Sequence, residues 1–369
     1  MKEYGLITIH NAINHGAVLQ ALATQYAFSK YDCSVNVINY VPEYIREDNL
    51  SVRKNRGIVI RILDIISHRQ RKISKFSHFI KTNLHLTEEL YSSDEISTRI
   101  EKYAGFISGS DQIWNPSITG GVVDTVYFCD FARENQHVVS YASSLGDKIC
   151  FDENTELIFK SQLSRYSRVS IREKSGVNWL KERLNIDAKQ VIDPTLLLLP
   201  NDWEFVIKQS SLDISKPYIF VYSVGRTKEL IKYAKKVQKV LGMDIIVSNS
   251  VLKYPYRKVK YITDDSPEDF LYLIKSASMV ITSSYHGTIF SANFNIPFLS
   301  FPASNTTTNR SSELLDLIGL KKQFVSYQTT FSPAMLDINW NIVNTKINEL
   351  RSESYKYIEE CIRGDNGQF

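Results

Sequence analysis

The side chains best suited to chemistry in this chain lie in short polar turns that follow apolar runs. In the stretch 280–301 (VITSSYHGTIFSANFNIPFLSF), His286 stands directly after Ser283, Ser284 and Tyr285, where an apolar strand gives way to a helix start. An imidazole titrates near neutral pH and can serve as general acid or base. The first N–H groups of a helix favour an anion, so His286 is expected beside a phosphate or carboxylate site. A second turn, HNAINHG, places Asn14, His15 and Gly16 between a strand and a helix, although the same residues suit ordinary capping. FISGSDQIWNP supplies Gly109 for a close turn, Asp111 as a carboxylate, Gln112 beside it, and Trp114 as a flat apolar face of the kind sugars stack on. A cap and a core aromatic are the plainer uses of Asp111 and Trp114. RVSIRE ends on Arg172 and Glu173, so the guanidinium is either a fork for a carboxylate or phosphate, or half of a salt bridge. Gly225 and Arg226 follow a further strand in the same manner.

The elements that must position these turns alternate. YGLITI, SVNVIN, YAGFIS, VVSYA and RVSIRE read as strands of a first half, with AVLQALATQYAF as the first helix, its Val18, Leu22, Gln25 and Tyr26 on one side. After a boundary between Leu199 and Lys216, strand and helix patterns alternate again through YIFVYSV, TKELIKYAKKVQKVLG, DIIVSN, KVKYI, PEDFLYLIKSA, MVITS and IPFLSF. Such an order predicts doubly wound parallel sheets, in which ligands meet the carboxyl ends of the strands. The expected organisation is an N-terminal α/β domain over 1–200, completed by a helix within 337–369, and a C-terminal α/β domain over 201–336. From Pro42 to about Arg99 the alternation stops. There Ile58, Ile62, Ile65 and Ile66 recur at helical spacing among Arg53, Lys54, Arg56, Arg61, Arg69, Arg71 and Lys72, which predicts a basic helical insertion (about 43–100) in the first domain.

Composition sets bounds on these readings. The chain has 369 residues, 43% hydrophobic and 23% charged, which suits a globular protein with two ordinary domains. Cysteines 33, 129, 150 and 361 are too dispersed for a metal-ligand pair or a disulfide framework, so no metal is expected and a reducing, cytoplasmic setting is. No secretory signal pattern and no spanning apolar run is visible. Neither GxGxxG nor a P-loop occurs, and no nucleic-acid partner is expected. Ten Lys or Arg against three acids lie between Arg46 and Lys81, so of the net charge of +4 the remainder of the chain carries −3. That insertion is either a solvated helix held by its isoleucines or a patch resting on anionic lipid headgroups at the inner face of a membrane.

Taken in order, NHGAVLQALA, FISGSDQIWNP, SYASSLG, SIREKSG, VIDPTLLL, PEDFLYLIKSASMVITSSYHGTIFSANFNIPF and RSSELLDLIGL resemble the polysaccharide pyruvyl transferase family. The resemblance covers most of the chain and implies two Rossmann-like domains facing a cleft, as in GT-B glycosyltransferases. It implies transfer of the pyruvyl unit of phosphoenolpyruvate to a sugar, often lipid-linked or polymer-bound, giving a cyclic ketal with no further cofactor. On that basis His286 is the acid or base, Asp111 orients or deprotonates a sugar hydroxyl, and Arg172 holds the donor. Ser283, Ser284 and Gly287 are expected to join it around the donor, with Arg226 or Arg310 as a further positive charge chosen from position alone and not from the resemblance, and Asn14, His15, Gly16, Gln112 and Trp114 are expected to face the acceptor. One departure stands out: several relatives carry Arg-Leu-His where this chain has Ser284-Tyr285-His286. Two other functions stay open, a glycosyltransferase using a nucleotide sugar, with Glu268 binding a ribose, and a non-catalytic saccharide-binding protein.

Overall fold

The computed structural model describes residues 2–49, 57–58, 68–147, 149–248, 253–303 and 310–363. The chain divides into two compact units: Met1–Asn49, Ile80–Leu197 and Asn348–Phe369 form the first, and Leu50–Phe79 with Leu198–Ile347 the second.

The first unit is built on five parallel strands, β1 (Lys2–Ile7), β2 (Cys33–Tyr40), β3 (Leu86–Leu90), β4 (Gly105–Ser108) and β5 (His137–Ser140), in the order β3-β2-β1-β4-β5. A short parallel pair, β6 (Ser170–Ile171) and β7 (Lys189–Gln190), is joined to β5 through bridges from Val139 to Arg168 and from Ser143 to Ile171. Helix α1 (His15–Phe28) is buried at every position but Tyr26, because its alanines allow close approach on all sides. The edge strand β3 falls in the region where the sequence pattern stops. Its residues LTEEL put two exposed glutamates on an outer strand, which hides the period-2 signal and discourages further pairing at the edge.

The second unit repeats the plan with β8 (Tyr218–Tyr222), β9 (Asp244–Ser248), β10 (Val259–Ile262), β11 (Met279–Thr282) and β12 (Phe298–Ser300), ordered β10-β9-β8-β11-β12 and all parallel. Every residue of β8 and β11 is buried, as expected for parallel strands covered on both faces.

The part of the expected basic insertion that lies within the described residues differs from the expectation in the unit it joins. A helix, α2 (Arg69–Asn83), is present, but its residues up to Phe79 belong to the second unit rather than to the first domain. There Lys72 Nζ lies 3.0 Å from Asp265 Oδ1 and Lys75 Nζ 3.2 Å from Asp269 Oδ2. Its buried face is Phe76 and Phe79, continued by Ile80, while Ile58 is 72% exposed. Ile62, Ile65, Ile66, Arg53, Lys54, Arg56 and Arg61 lie outside the described residues.

The closing helix α9 is numbered after α3 (Glu153–Leu163), α4 (Lys174–Trp179), α5 (Thr227–Leu241), α6 (Pro267–Lys275), α7 (Tyr285–Asn293) and α8 (Arg310–Leu317); it runs Trp340–Arg363. From Asn348 on it belongs to the first unit, where Tyr357 donates to Ser140 O and Arg351 to Leu196 O. All four cysteines are free thiols. Among the described residues no helix is long and apolar enough to cross a membrane.

Candidate active site

In each sheet the chain leaves the central strand in opposite directions, so a crevice opens at the carboxyl ends of β1 and β4 in the first unit and of β8 and β11 in the second. Asn14, His15, Gly16, Asp111, Gln112 and Trp114 follow β1 or β4, and Arg226, Ser283, Ser284, His286 and Gly287 follow β8 or β11, whereas Arg172 follows β6 and Arg310 opens α8.

In the first unit Asp111 follows β4 with a φ of +72°, and Ala142 follows β5 with a φ of +54°. Both are non-glycine residues in the left-handed region, a costly conformation that surrounding structure must enforce. Gly109 is required by close approach: a Cβ there would lie 2.7 Å from Leu6 Cδ1 and 3.0 Å from Thr8 Cβ. Bridges from Asp111 to Ser143 and from Ser143 to Ile171 bring the three strand ends side by side. Arg172, its side chain 0% exposed, then spreads its guanidinium over three carboxylates. Nε lies 2.8 Å from Glu173 Oε1, one terminal nitrogen 2.7 Å from Asp193 Oδ2, and the other 3.4 Å from Asp111 Oδ1. Ser144 donates to Glu173 Oε1, and Thr195 donates to Asp193 Oδ1 through both its amide and its hydroxyl. These four charged side chains carry more negative than positive charge. Their guanidinium is committed to carboxylates, which is the salt-bridge alternative for Arg172 rather than a fork open to a donor.

The remaining first-unit candidates divide. Asn14 caps α1, its Oδ1 accepting from Gly16 N at 2.9 Å and Ala17 N at 3.4 Å, while His15 is 1% exposed in the first turn. Gln112 accepts from Asn115 Nδ2. Trp114 is a correction: it is 1% exposed, stacked on Phe128 at 5.2 Å and edge-on to Tyr166, so its ring is part of the core and offers no face to a sugar. His10 was not singled out by the sequence. It is fully buried after β1, with Nδ1 3.1 Å from Thr8 O and Nε2 3.0 Å from the Asn39 amide, and burial lowers its pKa.

In the second unit Ser283 and Ser284 are spent on backbone. Ser283 Oγ accepts from Val224 N at 2.9 Å and so ties the end of β11 to the end of β8. Ser284 caps α7, its hydroxyl accepting from Gly287 N, while its own amide donates to Thr282 Oγ1. A Cβ on Gly287 would lie 2.4 Å from Thr282 Oγ1, so glycine allows the helix to start against the strand end. His286 is 7% exposed in that first turn, edge-on to Tyr285 with ring centroids 5.4 Å apart. Arg310, the first residue of α8, stacks its guanidinium 5.4 Å from the centre of the Tyr285 ring. Arg226, in the left-handed region at a φ of +49°, stacks at 4.6 Å on Tyr327. Sequence alone did not reveal Glu173, Asp193, Tyr285 or Tyr327 as partners of these groups, although the Asp-Pro pair at 193–194 is a helix-start signature that marked a strand end. Among the described residues no cluster of His, Cys, Asp or Glu could hold a metal ion.

Two Rossmann-like units with these strand orders define a GT-B-like α/β protein. Solved structures with that fold match the chain nearly end to end. The UDP-GlcNAc 2-epimerase from Neisseria meningitidis bound to UDP-GlcNAc is 10% identical, with a TM-score of 0.51, covering 99% of this chain and 100% of that one. The UDP-GlcNAc 2-epimerase from Methanocaldococcus jannaschii, in complex with UDP-GlcNAc and UDP, is 13% identical, with a TM-score of 0.50 and coverages of 98% and 99%. The glycosyltransferase SnogD from Streptomyces nogalater is 11% identical, with a TM-score of 0.50 and the same coverages. Likeness at this level concerns the fold alone. No curated protein matches the sequence. The family model for polysaccharide pyruvyl transferase matches residues 14–305; the chain belongs to that family and is a transferase.

Proposed function

We propose that this protein transfers the pyruvyl unit of phosphoenolpyruvate to two hydroxyls of a saccharide, forming a cyclic ketal and releasing phosphate. Family membership supports the reaction class. The observation that carries the division of labour is the contrast between the two switch points. The Asp111, Glu173 and Asp193 carboxylates around Arg172 make the first unit's edge suited to neutral hydroxyls and unsuited to a phosphate-bearing acid. The second unit's edge combines a helix start, His286, and the Arg226 and Arg310 guanidiniums, which suits the donor's phosphate and carboxylate. Arg172 is thereby moved from donor binding to positioning Asp111.

In the reaction so assigned, two sugar oxygens bond to C2 of the donor as the C2–O bond to phosphate breaks. Of the two hydroxyl protons released, one is matched by the proton gained at C3, and the other leaves with phosphate. Asp111 draws a proton from an acceptor hydroxyl, and His286 delivers the proton to the methylene carbon. Arg310, held over Tyr285, supplies the positive charge that relatives draw from the position of Ser284. Phosphate release from phosphoenolpyruvate, measured across soluble and lipid-linked saccharides, tests this reading. Release with one acceptor class is expected; no release with any acceptor overturns it.

A glycosyltransferase reading retains one observation in its favour. Glu268, in the first turn of α6, is half-buried with its Oε2 shielded from solvent, and burial raises its pKa. Thermal stabilisation by a nucleotide sugar, together with an absence of phosphate release, would favour that reading.

A further inference from the structure

Outside the candidate site, the second unit carries a basic surface that net charge conceals. Between residues 226 and 260 there are ten Lys or Arg, eight of them lysine, against only Glu229 and Asp244. Helix α5 explains their arrangement. Its apolar positions Leu230, Ile231, Ala234 and Val237 face the sheet, so Lys228, Lys232, Lys236 and Lys239 fall on the opposite face and are exposed. Glu229 is exposed near the start of this face, and Val240 at its end is 55% exposed.

The surface continues past the helix. Lys235 Nζ donates to Arg257 O at 2.9 Å, and Gln238 Nε2 donates to Met243 O and Lys258 O, so the last turns of α5 are fastened to the segment that opens β10. Next to that segment a groove of about 430 Å³ runs along the amino ends of β8, β9 and β10, the edge opposite His286. Its rim holds exposed Lys216, Pro217, Lys258 and Lys260, with Asp213 and Asp244 beside them, over buried Tyr218, Ile245 and Ile246. Among the described residues no ion pair engages Lys216, Lys228, Lys232, Lys236, Lys239, Lys258 or Lys260.

We propose that the exposed lysine face of α5 and the adjoining groove form a docking surface for an anionic lipid bilayer. A helix face of evenly spaced lysines presents diffuse point charges, which match a sheet of headgroups better than the bidentate geometry arginine brings to nucleic acid. An exposed valine and an apolar groove among the charges suit the boundary between headgroups and acyl chains. This surface comes from a part of the sequence other than the basic stretch between Arg46 and Lys81, and the assignment does not depend on the proposed reaction.

Co-sedimentation of the full chain with phosphatidylglycerol-containing vesicles and with pure phosphatidylcholine vesicles tests the assignment. Binding to the anionic vesicles alone is expected, and it should weaken at high salt. The triple variant Lys232→Glu, Lys236→Glu, Lys239→Glu should bind them on the order of 10²-fold more weakly. Its thermal midpoint should stay near that of the parent, because all three side chains are exposed. A second variant, Arg53→Glu with Lys54→Glu and Arg56→Glu, should retain most of the binding. Unchanged binding by the α5 variant overturns the proposal, as does loss confined to the second variant. Failure to bind vesicles while retarding duplex DNA also overturns it, in favour of a nucleic-acid surface.

Discussion

Arg172 shows how burial decides between two uses of one side chain. Three carboxylates surround its fully buried guanidinium, so removing it leaves charges without their counterion in a low-dielectric site. Arg172→Met should lower the unfolding free energy by about 3–5 kcal/mol in urea titrations. Unchanged stability would return this arginine to the donor. For Asp111 the informative change is to asparagine, which also tolerates the left-handed backbone and removes only the charge. Turnover of Asp111→Asn should fall by about 10²-fold or more with the thermal midpoint nearly unchanged. His286→Ala should show a loss of similar size, about 10²; near-normal turnover would leave this histidine as no more than part of a helix start.

At the scale of elements, the start of α7 is the most constrained junction in the second unit. Ser284 caps the helix, Thr282 receives the Ser284 amide, and Gly287 packs on the Thr282 hydroxyl. Replacing Ser284 by alanine should cost about 1 kcal/mol, the usual value of a lost cap. Gly287→Ala should cost about 1–3 kcal/mol, because the new methyl must displace Thr282 or the helix itself. Calorimetry on both variants checks the order, and a Gly287→Ala protein as stable as the parent would contradict the close approach. The same junction explains why the stretch 280–301 was readable in advance: strand, cap and helix start are adjacent in sequence. Helix α2 was not readable in the same way, since the face it buries is set by where the chain carries it.

Across the whole molecule, charge and protonation set the response to conditions. Burial lowers the pKa of His10, and also that of His137, below the ordinary value of 6.5. Each neutral ring is therefore favoured by folding. Their contribution is full above about pH 6.5 and is lost as pH falls through the range between the unfolded and the folded value. Urea midpoints measured from pH 8 downward should decline as the pH falls below about 6.5, and His10→Gln should flatten part of that decline. A profile that rises on acidification would refute the assignment. The charge map is uneven in the same sense: two basic stretches, at 46–81 and 226–260, lie within a chain whose net charge is only +4.

Local periodicity by itself determined the α/β alternation and the strand-to-helix turns that carry Asn14, Asp111 and His286, because a strand, its cap and the helix that follows depend on neighbouring residues; the family resemblance rested on the order of whole motifs along the chain. Tertiary structure alone decided the rest. Trp114 became a core ring because Phe128 and Tyr166 close over it. Arg172 became the hub of a carboxylate cluster because parallel strands bring Asp111, Glu173 and Asp193 to one edge. Arg310 came to lie over Tyr285 although the two are far apart in sequence. Burial and ion pairing join residues distant along the chain, and no pattern within a single segment carries that information.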